Sequence, residues 1–190
     1  MNILLLNGNT ETHSFSKSIC TAYIEGAKQI GHTIEVLNIG DMQFDPILRE
    51  GYHTTQTLEP DLVDFQRKIL WAQHFVIVYP TWWGGPPAIL KGLFDRAFYS
   101  GFAYKYHDND PLWDKLLKGR SAHLITTMDA PVLWYKFAYH SAGTNLLKNA
   151  ILKFCGIKPV KVTYITSVRY KKPKELEQDL VKIKELAKDW

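Results

Sequence analysis

The sequence predicts an α/β fold in one domain over residues 1–190: five parallel strands in the order 2-1-3-4-5, with helices on both faces of the sheet. Three observations carry this. Apolar runs of strand length alternate with helical repeats along the chain, the pattern of parallel βαβ units. The run "HFVIVYP" (74–80) is apolar without a break, as a strand covered on both faces must be. There are five such runs and no sixth. With right-handed crossovers, that count favours the order 2-1-3-4-5 over the six-stranded dinucleotide arrangement.

The elements follow in order. "NILLL" (2–6) is a short apolar strand that ends at the turn signal Asn7-Gly8-Asn9. From about Ser14, Ile19, Ala22, Tyr23 and Ala27 recur at helical spacing until Gly31 stops the helix. "TIEVLNI" (33–39) alternates as a strand, and 41–58 reads as loop. "PDLVDFQRKILWA" (60–72) is a helix with Pro60 near its start, and 74–80 is the third strand. Pro86 to Phe98 is helical, and 100–119 is irregular and rich in aromatic and acidic residues. "SAHLITTMD" (121–129) is the fourth strand. A helix over 142–155 ends at Gly156, and "VKVTYITSV" (160–168) is the fifth strand. Leu176, Leu180, Ile183 and Leu186 line one face of a final helix over 173–189.

Composition narrows the function. Hydrophobic residues make up 46% and charged residues 22%, ordinary globular usage for a chain able to bury its own core. The net charge of +4 suits an anionic ligand but is too weak and scattered for nucleic acid. Cys20 and Cys155 form no CxxC pair and sit in apolar helical contexts, which reads as inert thiols in a reducing compartment. His32, His53, His74, His107 and His123 show no metal spacing. "MNILLLNGN" lacks the basic region of a signal peptide, and no run is long enough to span a membrane, so the expectation is a cytoplasmic protein.

In such a sheet, ligands bind beyond the carboxyl ends of the strands where the strand order reverses, between the first and third strands. The loops there are "NGNTETHSFSKS" (7–18) and "PTWWGGPP" (80–87), with "TTMDAPVLWYKFAYHSAG" (126–143) beside them. The first lacks GxGxxG and a Walker lysine. Its hydroxyls and free backbone amides enter a helix and suit a phosphate, although Ser14 as a plain N-cap is the blander reading. In the second loop, Trp82 and Trp83 are placed to wall a flat aromatic ligand, with Gly84 and Gly85 letting backbone come close. The alternative is a surface loop whose tryptophans plug the core edge.

Taken together, "HSFSKSI", "PTWWGGPPAILKGLFDRAF" and "TTMDAPVLWYKFAYHSAG" resemble the NAD(P)H:quinone oxidoreductases, flavodoxin-like enzymes of the DT-diaphorase kind, from Met1 to about Val168. The resemblance implies a flavin, two-electron hydride transfer with ping-pong kinetics, and a homodimer with its site at the subunit interface. Position by position, it implies cofactor contacts from Asn9, His13, Ser14, Phe15 and Ser16, with serine at 16 where asparagine is usual. It implies further contacts from Pro80, Thr81, Trp82, Trp83 and Gly84, and from Thr126, Thr127, Met128 and Asp129. The resemblance makes His140 and Tyr135 the catalytic residues: His140 falls where a histidine assists charge relay, and the family's tyrosine lies at or next to Trp134 and Tyr135. The family's glycine-rich turn is replaced here by Met128-Asp129-Ala130-Pro131. FMN is favoured over FAD because the loops define only a mononucleotide site; NADPH or NADH is the donor. Azo- or nitroreduction on the same site is one rival. A non-catalytic electron carrier or regulatory subunit is another, disfavoured by the basic charge. The aromatics Phe102, Tyr104, Trp113, Trp134 and Phe137 are expected to be buried in an isologous dimer interface.

Overall fold

The computed structural model describes residues 1–54 and 56–190; Thr55, in the stretch expected as loop, lies outside the described residues. The main sheet holds β1 (Asn2–Asn7), β2 (Thr33–Asn38), β3 (His74–Pro80), β6 (Ser121–Thr127) and β7 (Val160–Ile165), all parallel, in the order β2-β1-β3-β6-β7. Counting only these five, this is the expected 2-1-3-4-5. All seven residues of β3 are buried, which explains its unbroken apolar run.

Helices cover both faces because successive β3 side chains point opposite ways. Phe75, Ile77 and Tyr79 pack with α2 (Pro60–Trp71) and α3 (Ala88–Ala97). Val76 and Val78 pack with α1 (Phe15–Gln29) and α6 (Pro173–Leu186). Each fully buried aliphatic side chain in these layers contributes about 1.5–3 kcal/mol. Both cysteines are free and buried, and burial pushes each thiol up to about 12, so the reading of inert core thiols holds.

Arg96 ties together two parts of the long connection from β2 to α2. The Arg96 side chain on α3 is 1% exposed and donates to the Asp45 carbonyl, to the Thr57 carbonyl at 2.8 Å and to the Glu59 carboxylate at 2.9 Å. Burial alone would raise the Glu59 carboxyl; the Asp45 N–H and Arg96 outweigh it and hold it below the usual carboxylate range.

The structure departs from expectation in its short elements and in several element ends. Residues 100–119 contain an antiparallel hairpin, β4 (Tyr104–Tyr106) with β5 (Trp113–Lys115). Three-residue strands are too short to show a period. Three of the aromatics expected at a dimer interface also find partners within their own chain. Trp113 stacks on Phe154 at 4.5 Å and donates to its carbonyl at 2.9 Å, Tyr104 meets Phe154 edge-on, and Phe102 packs on the core of its own chain.

The fourth-strand loop contains a two-turn helix, α4 (Val132–Ala138), on which only Tyr135 is buried. One buried position in seven makes no amphipathic stripe to read. The expected helix over 142–155 begins with α5 (Ala142–Asn145) and continues as a π-helix over Leu146–Lys153. Leu147 and Leu152 are both fully buried, and their five-residue spacing suits the i→i+5 repeat of a π-helix. The strands also stop short of their expected ends, β6 at Thr127 and β7 at Ile165, and α3 starts after Pro87 rather than at Pro86.

Candidate active site

Strand register brings three loops together. Asn7 pairs with Val78 across β1–β3, and Pro80 pairs with Thr127 across β3–β6. The segments after β1, β3 and β6 therefore leave the sheet side by side, as the topology requires. The Gly8 N–H donates to the Val78 carbonyl at 2.7 Å and draws the first loop against β3.

The first loop is shaped by its own asparagines. Asn7 Oδ1 accepts the Asn9 N–H at 3.2 Å; Asn9 Oδ1 accepts the Glu11 N–H at 3.0 Å, and Asn9 Nδ2 donates to Ser16 Oγ at 3.4 Å. Asn9 and Ser16 are buried, so both serve the loop's shape. His13 is exposed and Phe15 packs against the core. Ser14 is the N-cap of α1, with extended backbone, yet its hydroxyl makes no capping bond. Ser14 Oγ is buried and has no hydrogen-bond partner. An orphaned hydroxyl at the head of a helix where no side chain caps the Phe15 and Ser16 N–H groups fits a phosphate.

The third-strand loop is a tight hairpin. Pro80 ends β3 in the core. The Thr81 N–H donates to the Thr127 carbonyl at 2.7 Å, and the Thr81 and Thr126 hydroxyls are paired at 2.8 Å. Trp82 and Gly85 exchange backbone bonds of 2.9 and 3.0 Å around Trp83 (φ 52°) and Gly84 (φ 77°). Two successive positive φ values define the turn type that normally carries Asn-Gly. A tryptophan at the first position costs roughly 1–2 kcal/mol of backbone strain. Trp83 is fully exposed at 105% and Trp82 is 46% exposed. The core-plug reading of these tryptophans is therefore ruled out, and both are free to meet a ligand.

The fourth-strand loop completes the ledge. Thr126 and Thr127 are buried at the end of β6. The Met128 N–H donates to the Ile165 carbonyl at 3.0 Å, so this amide is taken by the sheet. Asp129 Oδ1 accepts the Arg169 N–H at 2.9 Å, which ties the turn after β6 to the segment after β7. On α4, Leu133, Trp134 and Phe137 face outward, 65%, 60% and 77% exposed. Tyr135 points inward: its hydroxyl accepts the Thr144 N–H at 3.1 Å and lies 3.5 Å from the Gly84 carbonyl, to which it donates. His140 sits in the turn between α4 and α5 (φ 48°), exposed, with its carbonyl accepting from Asn145 Nδ2 at 2.9 Å.

Among the described residues, the non-glycine positions with positive φ are Trp83, His140, Ser141 and Ser167. All four lie on loops at the carboxyl ends of the strands. Backbone strain gathers where structure is held for a purpose other than stability. Tyr135 as a buried tie between loops, and the strained pair His140-Ser141, carried no sequence signal beyond the resemblance, because neither residue type marks such a conformation.

Comparison with known proteins agrees with this fold. Residues 1–187 match a protein family described by its flavodoxin-like fold. An NAD(P)H oxidoreductase of Haemophilus influenzae is 31% identical over 168 residues, covering 85% of this chain and 81% of the relative. The NAD(P)H dehydrogenase [quinone] 1 of Cavia porcellus is 28% identical over 181 residues, covering 82% of this chain and 64% of that protein. Among solved structures, Smu.1420 from Streptococcus mutans superposes with a TM-score of 0.85 at 29% identity over the whole of both chains. An FMN-dependent NADH-azoreductase from Bacillus anthracis, at 23% identity and TM-score 0.76 over 98% and 97% of the two chains, shares the fold.

Proposed function

The chain belongs to the flavodoxin-like fold family, and from that premise we propose that it is a flavin-dependent NAD(P)H:quinone oxidoreductase. The observation that carries the reading is the orphaned, buried Ser14 hydroxyl at the head of α1, beside an exposed tryptophan turn. One feature asks for a phosphate and the other for a flat ring. A flavin mononucleotide answers both, so the residues fit the group.

Ser14 Oγ and the backbone N–H groups of Phe15 and Ser16 hold the phosphate, where the positive end of the α1 dipole favours an anion. Trp82, Trp83 and Gly84 wall the ring, and Thr81, Thr126 and Thr127 line its edge. Asn9 and Ser16 keep the first loop in shape, with His13 at its rim. Asp129 braces the turn after β6. A bound flavin would supply the redox chemistry, taking two electrons and a proton from NAD(P)H and returning them, with a second proton, to a quinone. His140 stands exposed on the same ledge and is the group that carries the second proton. Tyr135, expected as a catalytic partner of His140, is 1% exposed with its hydroxyl bonded to Thr144 and Gly84, and in this reading it positions the ledge.

FMN is the preferred cofactor, with FAD second, and NADPH or NADH the donor. Azo compounds are a second class of acceptor on the same open ledge. The protein acts in the cytoplasm in this reading, in keeping with its buried free thiols. Among the described residues, no helix is long and apolar enough to cross a membrane. The outward face of α4 is covered by a second copy in a homodimer.

The test is direct. The protein as purified, or after addition of FMN, should show flavin absorbance, release FMN or FAD by mass spectrometry, and oxidise NADPH or NADH with a quinone as acceptor. Flavin uptake without nicotinamide oxidation would favour an electron carrier. Failure to take up any flavin would overturn the proposal.

A further inference from the structure

We propose that the Tyr135 hydroxyl is a positioning group that sets the gap between the Trp82–Gly85 turn and the His140 segment, and through that gap the slot for the planar ligand. The ligand half of this inference rests on the flavin reading above.

The tie is made at one point. Tyr135 is 1% exposed, and its hydroxyl accepts from the Thr144 N–H at 3.1 Å while donating toward the Gly84 carbonyl at 3.5 Å. It bonds residues of both loops, at the first turn of α5 and at the tip of the tryptophan hairpin. The contact is close-packed as well as hydrogen-bonded. A methyl added at Gly143 would stand 2.6 Å from the Gly84 carbonyl oxygen, 2.7 Å from Gly85 Cα and 3.1 Å from the Tyr135 hydroxyl. Backbone thus lies on backbone, which only glycine at 143 allows. On the far side of Gly84, the Tyr139 ring lies 3.6 Å from where a Cβ would be.

The same residue governs His140. The Tyr135 carbonyl accepts the Tyr139 N–H at 3.2 Å and the Ser141 N–H at 3.3 Å, bracketing His140. Thr144, held by the phenol, in turn bonds the Ser141 carbonyl and the Tyr164 hydroxyl, both at 3.0 Å. The phenol is therefore a hub. Trp83 and His140 are both strained, with φ of 52° and 48°; the phenol oxygen meets Gly84, next to Trp83, directly and reaches the His140 segment through Thr144, while the Tyr135 backbone carbonyl brackets His140. Strained conformations persist only where the surroundings over-determine them.

The experiment compares Tyr135→Phe and Gly143→Ala with Tyr164→Phe, whose hydroxyl meets Thr144 but not the tryptophan turn. Each protein is labelled with 5-fluorotryptophan, and the fluorine resonances of Trp82 and Trp83 are followed by NMR without flavin. FMN affinity is then measured by titration. Tyr135→Phe and Gly143→Ala should both move the Trp82 and Trp83 resonances. FMN binding should weaken roughly 3- to 10-fold, the scale of one net buried hydrogen bond. Tyr164→Phe should do neither. Should Gly143→Ala fail to fold, Tyr135→Phe decides alone. Unmoved Trp82 and Trp83 signals in Tyr135→Phe overturn the proposal. So does a shift that Tyr164→Phe reproduces, or one with FMN affinity intact. An unsubstituted protein that takes up neither FMN nor FAD overturns the flavin reading instead, and the fluorine shifts then decide whether the tie stands.

Discussion

His74 and Trp190 pack ring against ring with 4.0 Å between centroids, at the amino end of the sheet, opposite the candidate site. His74 bonds Ser121 Oγ at 2.7 Å and the Tyr23 hydroxyl at 3.3 Å, and His123 beside it bonds Thr163 Oγ1 at 2.8 Å. Burial first, then His123, Lys161 and His32, pushes His74 down to about 3. Burial and Lys161, against a small opposing pull from Asp189, push His123 down to about 4.

Acid should therefore unfold the protein through these histidines. Below about pH 6.5 the unfolded chain binds two protons that the folded chain refuses, so stability falls as pH falls from about 6.5 toward 4. The loss should reach several kcal/mol by pH 4. Urea unfolding at pH 7, 6, 5 and 4 checks the slope, and His74→Gln should flatten it. An equally steep slope in that variant would place the acid sensitivity in the carboxylates instead.

Replacing both Trp82 and Trp83 by alanine should weaken flavin binding by about 1–3 kcal/mol, the loss of two aromatic walls. Both side chains are exposed, so folding stability should hardly change. Flavin titration alongside thermal melting separates the two effects, and unchanged affinity would remove the stacking role.

His140→Ala should lower kcat and kcat/KM together, since a group used only in the transition state affects both. Proton delivery by a side chain is typically worth about 10²–10⁴-fold. Stopped-flow kinetics should place the loss in the half-reaction with quinone, with flavin affinity intact. Unaltered rates in both half-reactions, with only the melting temperature reduced, would make His140 a structural turn residue.

Arg96→Ala should cost about 1–3 kcal/mol, because it leaves the part-buried Glu59 carboxylate and the Asp45 and Thr57 carbonyls without their donor. The connection over 42–59 should come loose first. Amide exchange should show lost protection there before it shows any in β1 or β3.

Light scattering at micromolar concentration should give the mass of a dimer. Leu133→Lys with Phe137→Lys, on the outward face of α4, should give a monomer. A monomeric unsubstituted protein would leave that face without its proposed partner.

The sequence by itself determined the five-stranded sheet, its order and which loops meet, because these follow from local periodicity and chain handedness. "HFVIVYP" reads as a doubly covered strand from its composition alone, and the structure buries all seven residues. The Trp82-Trp83-Gly84-Gly85 loop stands out by its residue types, but composition leaves a core plug open, and only the exposure of both tryptophans closes that reading. Short elements were not legible. β4, β5 and α4 are held by partners distant in the chain, such as Phe154 beneath Trp113, and a three- or seven-residue stretch carries too few positions to show a period. Only the tertiary structure decided which polar groups are used up and which are free. The Met128 amide is lost to Ile165, Ser16 to Asn9 and the Tyr135 hydroxyl to Gly84 and Thr144, while Ser14 Oγ keeps no partner. A hydrogen bond is satisfied in three dimensions by atoms up to dozens of residues apart, and residue type at one position does not record it.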